Sequence, residues 1–122
     1  MAGAFSLLNM HPDHLPLIPP DTALQIFAAA ELTDTEVAEQ ASLTRQAIFY
    51  WRRGRVANRN SRDRVSVLAY KALLGVRTRA FPLRGLNRNA RRVLLRTFFD
   101  NASLSTWDAT DLKSALPQIF NT

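Results

Sequence analysis

Arginine, the side chain best suited to binding polyanions, is concentrated in one part of this chain. Residues 45–96 carry 14 arginines and Lys71 against a single acid, Asp63, whereas residues 1–44 carry six acids and neither lysine nor arginine. Guanidinium groups pair with phosphates and with guanine edges through two parallel hydrogen bonds. The arginine block therefore predicts a polyanionic partner. A solvated basic face without a partner is the alternative interpretation.

Other chemistry is poorly represented. The 122 residues include no cysteine, which excludes disulfides, thiolate zinc sites and cysteine nucleophiles. There is no glycine-rich phosphate loop and no hydrolase or metalloprotease motif. His11 and His14 have no further clustered ligand, so we expect a solvated segment there and not a metal site. We predict a non-enzymatic protein with no metal, no cofactor and no evident small-molecule ligand.

The composition also indicates where in the cell the protein is expected to be. No apolar run approaches the ~20 residues that a membrane-spanning helix needs, and residues 1–10 have no basic head before their apolar run. We expect no membrane association. Together with the lack of cysteine, this predicts a reducing, cytoplasmic location, nucleoid-associated in a prokaryotic or phage-infected cell.

Apolar spacing, caps and chain breakers predict an all-α protein, a compact bundle of about five to six helices. Four of the six prolines lie in residues 1–20, which predicts an extended N-terminal arm whose Leu15, Leu17 and Ile18 can still pack onto the body. The predicted helices cover 22–31 after an Asp21 cap, 34–40, 45–53 up to Gly54, 62–74 between Ser61 and Gly75, 90–99 after Asn87 or Asn89, and 105–117. No segment shows strand alternation.

Residues 33–54 carry the signals of two short helices joined by a tight turn. Thr33 and Glu36 have capping-box spacing, and Thr44 can cap the second helix and leave its first amides facing a phosphate. Two such helices cross closely only where the touching residues are small or apolar. The sequence supplies them at Val37, Ala38, Leu43, Ile48 and Trp51.

This stretch resembles the helix-turn-helix of the phage-repressor and Cro-like (XRE) family. That family has an alanine in the first helix, Gly-Val-Ser at the turn, Ile-Ser-x-Trp in the second helix and a closing glycine. The corresponding residues are Ala38, Ser42-Leu43-Thr44, Ile48-Phe49-Tyr50-Trp51 and Gly54. Ser42 departs from the pattern, as does the loop 55–60, and both chain ends are uncovered. The resemblance implies a DNA-binding domain over 21–76 whose second helix enters the major groove of double-stranded DNA.

Placing residues at about 100° per step sorts the second helix into two faces. Ala47, Ile48 and Trp51 share the side expected to face a core. The side chains expected to read bases are the cap and the outward face: Thr44, Arg45, Gln46, Phe49 and Tyr50. Arginine suits guanine and glutamine suits adenine, whereas an aromatic ring suits a thymine methyl. One of the two rings packing beside Trp51 is the alternative for Phe49 and Tyr50.

The remaining nearby arginines are predicted to hold the DNA backbone. They are Arg52, Arg53, Arg55, Arg59, Arg62 and Arg64. If all six neutralise phosphates, log K falls against log[salt] with a slope of about −5. The acids of residues 21–39 permit a second idea, that they mimic DNA and occupy the basic face in its absence.

Residues 84–122 are predicted to form a helical extension that dimerises. On the wheel of helix 90–99, Ala90, Val93, Leu94 and Phe98 share an arc that we expect to be buried. Leu95 and Phe99 lie inside a stripe of arginines, Arg88, Arg92 and Arg96. Burial against a second copy predicts dimerisation through Leu94, Leu95, Phe98 and Phe99; arginines covering a wide core are the alternative.

The function that these features favour is that of a sequence-specific, repressor-like transcriptional regulator acting as a homodimer on double-stranded DNA. Two alternatives stay open. One is a DNA-packaging protein similar to phage small terminase subunits, and the other is a protein-interaction module that inhibits a host factor.

Overall fold

Helices make up all the regular structure in the part of the chain that is described. The computed structural model describes residues 15–55, 58–78, 85–102 and 104. Across these ranges there are five helices and no strand: α1 (Pro20–Ala29), α2 (Asp34–Ala41), α3 (Arg45–Arg52), α4 (Arg59–Thr78) and α5 (Arg88–Asn101). The predicted all-α bundle is confirmed. The predicted helix 105–117 and residues 1–14 of the predicted arm lie outside the described residues.

The long helix α4 is the centre of the bundle. It packs against α1 and also contacts α2 and α5, while α3 contacts α1 and α2. The largest fully buried side chains come from these elements and include Phe27, Ile48, Tyr70, Leu73 and Leu95. One continuous apolar core therefore joins the predicted DNA-binding part of the chain to α5.

The segment before α1 is fastened to α4. Leu15 and Ile18 are buried, whereas Leu17 remains 44% exposed. The Ile18 amide donates to the hydroxyl of Ser66, which is fully buried, and the Tyr70 hydroxyl donates to the Pro16 carbonyl. Residues 15–19 of the predicted arm are thus part of the body.

The start of α1 differs from the sequence prediction. Asp21 was expected to cap the helix, but the helix begins at Pro20 with Pro19 at the N-cap, and Asp21 lies in the first turn. Proline lacks the amide hydrogen that the first helical position leaves unused, and its fixed φ suits a helix start. Asp21 still interacts favourably there with the positive end of the helix dipole.

The three helices α1, α2 and α3 end with the same pair of backbone hydrogen bonds. After α2, the Ser42 amide donates to the Glu39 carbonyl and the Leu43 amide to the Ala38 carbonyl, the pattern of a Schellman motif. The motif needs a left-handed residue, and Glu31, Ser42 and Gly54 take that position, with φ of 61°, 56° and 81°. Only the third is the glycine that this conformation favours.

Helix α4 is longer at both ends than predicted. Asn58, whose side chain accepts from the Ser61 amide at 2.8 Å, takes the capping role expected of Ser61. Gly75 does not end the helix, which continues to Thr78, and Gly75 itself is buried. Burial within the bundle outweighs the weak helix propensity of one glycine.

Asn87, one of the two predicted caps, starts helix α5 with its side chain accepting from the Ala90 amide at 2.8 Å, and the helix begins at Arg88, two residues before the predicted start. Its buried face was predicted wrongly. Leu95 and Phe99 are buried at 0% and 4% exposure, whereas Val93 is 65% exposed. Arg91 lies on the same side, at i, i+4, i+8 spacing with Leu95 and Phe99, and contacts α2, so the ion pair and the two apolar side chains together favour this face toward the body.

Candidate nucleic-acid interface

Helices α2 and α3 form a tightly connected pair. The Thr33 hydroxyl accepts from the Glu36 amide and the Glu36 carboxylate accepts from the Thr33 amide, so the predicted capping box is confirmed. The Thr44 hydroxyl accepts from the Ala47 amide at 3.1 Å and caps α3 as predicted. The three residues Ser42 to Thr44 connect the two helices, which makes the turn between them tight.

The contact between the helices is apolar, as the sequence predicts. Val37 and Ala38 from α2 are 1% and 4% exposed, and Ile48 and Trp51 from α3 are 0% and 7% exposed. Leu43 in the turn is partly buried against the same core. The inner faces of the pair therefore lie where the helical wheel put them.

An ion pair joins the ends of α2 and α3 that are remote from the turn. Arg52 donates from Nη2 to Asp34 Oδ1 at 2.6 Å and from Nε to Oδ2 at 3.2 Å. The carboxylate raises the pKa of Arg52 further above its ordinary value. With a turn at one end and this bidentate pair at the other, the angle between the helices is held at both ends.

Two more arginines brace the pair from outside it. Arg64 of α4 donates to the carbonyl of Ser42, the left-handed residue of the turn, at 3.1 Å. Arg91 of α5 donates two hydrogen bonds of 2.8 Å to the Glu36 carboxylate and one of 2.9 Å to the Glu31 carbonyl. Arg91 thus ties α5 to the start of α2.

The Arg91 contact is partly buried and changes the chemistry of Glu36. The two side chains are 21% and 14% exposed. Hydrogen bonding from Arg91 holds the pKa of Glu36 below its ordinary value, against the opposing effect of burial. Glu36 is therefore charged under neutral conditions and serves both the capping box and this pair.

The acids of α2 pair with its neighbouring helices. Asp34 meets Arg52, Glu36 meets Arg91, and Glu39 lies 2.5 Å from Arg92. These contacts offer a simpler role for the acidic segment than mimicry of DNA, because each pair links α2 to α3 or α5.

The outward face of α3 is exposed as predicted. Arg45, Gln46 and Arg53 are exposed, Phe49 is 48% exposed, and Tyr50 is partly buried. Neither ring takes a place in the core beside Trp51, so the alternative interpretation of the two rings does not hold. Exposed aromatic side chains next to basic ones are a feature of binding surfaces.

The rings on this face are stacked with arginines. The Arg53 guanidinium lies over the Phe49 ring at 4.2 Å from its centroid, and that of Arg55 lies over the Tyr50 ring at 4.9 Å. The two rings meet edge to face with centroids 5.8 Å apart. A guanidinium placed over a ring keeps N–H groups available for a carboxylate, a phosphate or a base.

One hydrogen bond links two of the predicted reading residues. Gln46 donates from Nε2 to the Tyr50 hydroxyl at 2.9 Å, across one turn of α3. The exposed amide of Gln46 thus has a defined partner before any ligand is bound.

The six arginines predicted to hold a DNA backbone separate into three groups. Within the described residues, Arg53, Arg55 and Arg59 are exposed, and their side chains have no hydrogen bond or ion pair. Arg52 and Arg64 are engaged with Asp34 and with the Ser42 carbonyl. Arg62 is partly buried, and its Nε is buried without a partner in the described part of the chain.

Helix α5 presents a second exposed surface, which we call the α5 strip. A shallow groove there is lined by Asn87, Asn89, Ala90, Val93, Leu94, Thr97 and Phe98, none of which is charged. Leu94 and Phe98 are only partly buried, so these two of the predicted dimerisation residues reach the surface. Leu95 and Phe99 do not, because they fill the core of their own chain.

Sequence reasoning missed Arg91 and Asp34. Both were counted only as charges, and a signal existed: Glu36 of the capping box and the acids beside it needed cationic partners within the fold. The sequence alone does not indicate which of the 14 arginines pairs with these acids.

The described residues contain neither a metal-binding cluster nor a membrane-spanning helix. In those ranges no cluster of histidine, aspartate or glutamate is placed to hold a metal ion. None of their helices is both long enough and apolar enough to cross a membrane. His11 and His14 lie outside the described residues.

Comparison with known proteins adds no identification. No protein-family model, curated protein or solved structure matches this chain.

Proposed function

We propose that this chain is a sequence-specific, double-stranded-DNA-binding transcriptional regulator, with no enzymatic role, in which α2 and α3 act as a helix-turn-helix. The observation that carries the proposal is the outward face of α3. It combines exposed arginine and glutamine in the first turn with two exposed or partly exposed rings and no acid.

The first turn of α3 is the part expected to meet base edges. The major groove, about 12 Å wide, admits an α-helix, and in this docking mode its N-terminal residues reach deepest. Arg45 is then placed to pair with guanine O6 and N7, and Gln46 with adenine N6 and N7. Thr44 caps the helix and leaves its remaining first-turn amides facing the groove wall.

The neighbouring arginines supply the contacts to phosphates. Arg53 and Arg55 are stacked on rings, and Arg59 stands exposed at the start of α4. Arg52 and Arg64 support binding indirectly, by holding α2, the turn and α3 in place.

The proposal is tested by selecting duplexes from a randomised pool and then measuring affinity. Arg45→Ala is expected to lose about 1–3 kcal/mol on the selected sequence and little on random duplexes. Arg96→Ala removes another exposed arginine, from α5, and serves as the matched control. Equal losses on both sequences would refute base reading by Arg45, and absence of duplex binding at low salt would favour the protein-interaction module.

We also propose that the working form is a homodimer, with the α5 strip as the contact. Two copies of a chain with net charge +6 repel each other, so their contact requires a surface without arginines. The α5 strip is such a surface in the middle of the basic block. Ala90 lies three positions before Val93, and Thr97 lies three positions after Leu94. This symmetric arrangement of small residues about the centre suits an antiparallel, twofold contact.

Solution mass tests the dimer. Val93→Glu places a charge in the α5 strip at a position that is 65% exposed and so leaves the core intact. It is expected to convert dimer to monomer, whereas Leu17→Glu, at a 44% exposed leucine elsewhere, leaves the mass unchanged. A monomeric unsubstituted protein would overturn the proposed dimer, and eight or more copies would favour the packaging protein. Cytoplasmic, nucleoid-associated location belongs to the same proposal.

A further inference from the structure

The contact between Gln46 and Tyr50 distinguishes this pair from the other side chains on the outer face of α3. Gln46 Nε2 lies 2.9 Å from the Tyr50 hydroxyl, on the side of the helix away from the core. Gln46 itself is exposed, and its side-chain oxygen has no hydrogen-bond partner within the described residues. The amide is therefore held at one atom and open at the rest.

Tyr50 is itself held firmly. Its ring is partly buried, the Phe49 ring meets it edge to face, and the Arg55 guanidinium covers it. A ring supported in this way has few orientations, so its hydroxyl occupies a nearly fixed position. That position is one helical turn from Gln46, the spacing at which side chains on a helix surface meet.

We infer that Tyr50 is a positioning residue that orients the Gln46 carboxamide for adenine. This inference rests on the proposed DNA binding. A glutamine amide has two N–H donors and one carbonyl acceptor, and adenine in the major groove offers one acceptor, N7, and one donor, N6. With one N–H engaged by Tyr50, a single N–H and the carbonyl remain, which is the pair that adenine matches.

Pre-orientation also changes what Gln46 rejects. A free glutamine side chain rotates about its terminal bond and can present either a donor or an acceptor to several bases. Fixing the amide before binding lowers the entropy lost when the correct base is bound and leaves the wrong bases with unpaired groups. The expected consequence is selectivity at one base pair, with little change in general DNA affinity.

The test is Tyr50→Phe, which removes the hydroxyl and keeps the ring on which Arg55 lies. Affinities are measured for the selected duplex, for duplexes changed only at the base pair read by Gln46, and for random duplexes. Tyr50→Phe is expected to reduce the preference for adenine there about threefold to tenfold, the range of one hydrogen bond, and to leave random-duplex affinity unchanged. Thermal unfolding is expected to match the unsubstituted protein, because the lost hydrogen bond is exposed.

A double-substitution cycle separates orientation from direct contact. Gln46→Ala is expected to abolish the adenine preference, and adding Tyr50→Phe to it is expected to have no further effect on that preference. An unchanged preference in Tyr50→Phe would overturn the inference. So would an equal loss on every duplex, which is the signature of a phosphate contact by the hydroxyl.

Failure of the inference and failure of the proposed function give different results. If the unsubstituted protein binds duplexes with a base preference and Tyr50→Phe retains it, only the inference fails. If the unsubstituted protein shows no base preference at all, the proposed sequence-specific function fails and the inference with it.

Discussion

Arginines on α3 and arginines on α5 look alike in the sequence but are used differently in the fold. On α3 and just after it, Arg45, Arg53 and Arg55 point outward and meet no acid in the described residues; two of them rest on aromatic rings. On α5, Arg91 and Arg92 face α2 and pair with Glu36 and Glu39. The first set is available to a ligand and the second is occupied within the chain.

The difference shows what a charge count omits. The basic block of residues 45–96 suggested one continuous binding surface. In the fold, α2 contacts both α3 and α5, and its acids pair with Arg91 and Arg92 of α5 but, on the α3 side, with Arg52 alone among the described residues. Removing an arginine should therefore cost stability in one region and DNA affinity in the other, which makes the comparison testable residue by residue.

The largest expected effect is on stability, from Arg91→Ala. The change leaves the partly buried Glu36 carboxylate and the Glu31 carbonyl without their shared donor and is expected to cost about 2–3 kcal/mol. The free energy of unfolding in urea measures it. Arg92→Ala is the control, expected to cost less than about 1 kcal/mol because its pair is exposed. Equal costs would remove the distinction between these two pairs.

The salt dependence of DNA binding tests how many arginines are available. Six phosphate contacts predict a slope of log K against log[salt] of about −5, whereas the three of these six arginines that are exposed and unpaired in the described part of the chain, Arg53, Arg55 and Arg59, predict about −2.7. Between about 50 and 200 mM salt, the second slope weakens binding roughly 40-fold. A slope near −5 would mean, by the same relation, that about six phosphates are neutralised, so arginines such as Arg52 and Arg64 leave their partners to bind DNA.

Low pH is expected to weaken the contact between α5 and α2, because it protonates Glu36, the partner of Arg91. Its pKa is lower in the folded protein than its ordinary value of 4.5, so its contribution to stability is full above that value and is lost as the pH falls through the folded pKa. Unfolding in urea from neutral pH to about pH 3 measures the loss. Glu36→Gln cannot titrate, so this part of the pH dependence should disappear; an unchanged profile would contradict the assignment.

The smallest expected effect concerns the turn shared by α2 and α3. Ser42 is left-handed, with φ of 56°, a conformation that costs a residue with a side chain about 1 kcal/mol. Ser42→Gly is expected to raise the unfolding free energy by about 0.5–1 kcal/mol. The greater conformational freedom of glycine in the unfolded chain offsets part of this gain. Random-duplex affinity is expected to stay the same. A loss of stability would show that the serine side chain stabilises the turn.

Local signals predicted the α2 and α3 region well, because its decisive interactions lie close together in the sequence. The Thr33 capping box, the Thr44 cap and the left-handed Gly54 each depend on residues within four positions. The two faces of α3 follow from helical spacing alone. Its base-reading role remains a prediction.

Prediction failed where a distant partner decides the outcome. The apolar residues of α5 surround most of the helix, and the wheel selected the wrong arc as the buried one. The side that faces the body carries Leu95, Phe99 and Arg91, whose partner Glu36 is 55 residues away in the sequence. The predicted end of α4 is wrong for a similar reason. Gly75 is buried in the bundle, and this burial stabilises the helix beyond a residue that normally ends one. The partners of Arg52 and Arg64 can likewise be identified only from the three-dimensional structure.

The central claim is tested most directly by comparing Arg53→Gln with Arg92→Gln in duplex binding over a range of salt concentrations. Both changes remove one positive charge from an exposed arginine, one stacked on Phe49 and one paired with Glu39. Arg53→Gln is expected to reduce the steepness of the salt dependence by about 1, and Arg92→Gln to leave it unchanged. Equal changes in the two variants would contradict the division of the arginines into a DNA-binding set and an intramolecular set.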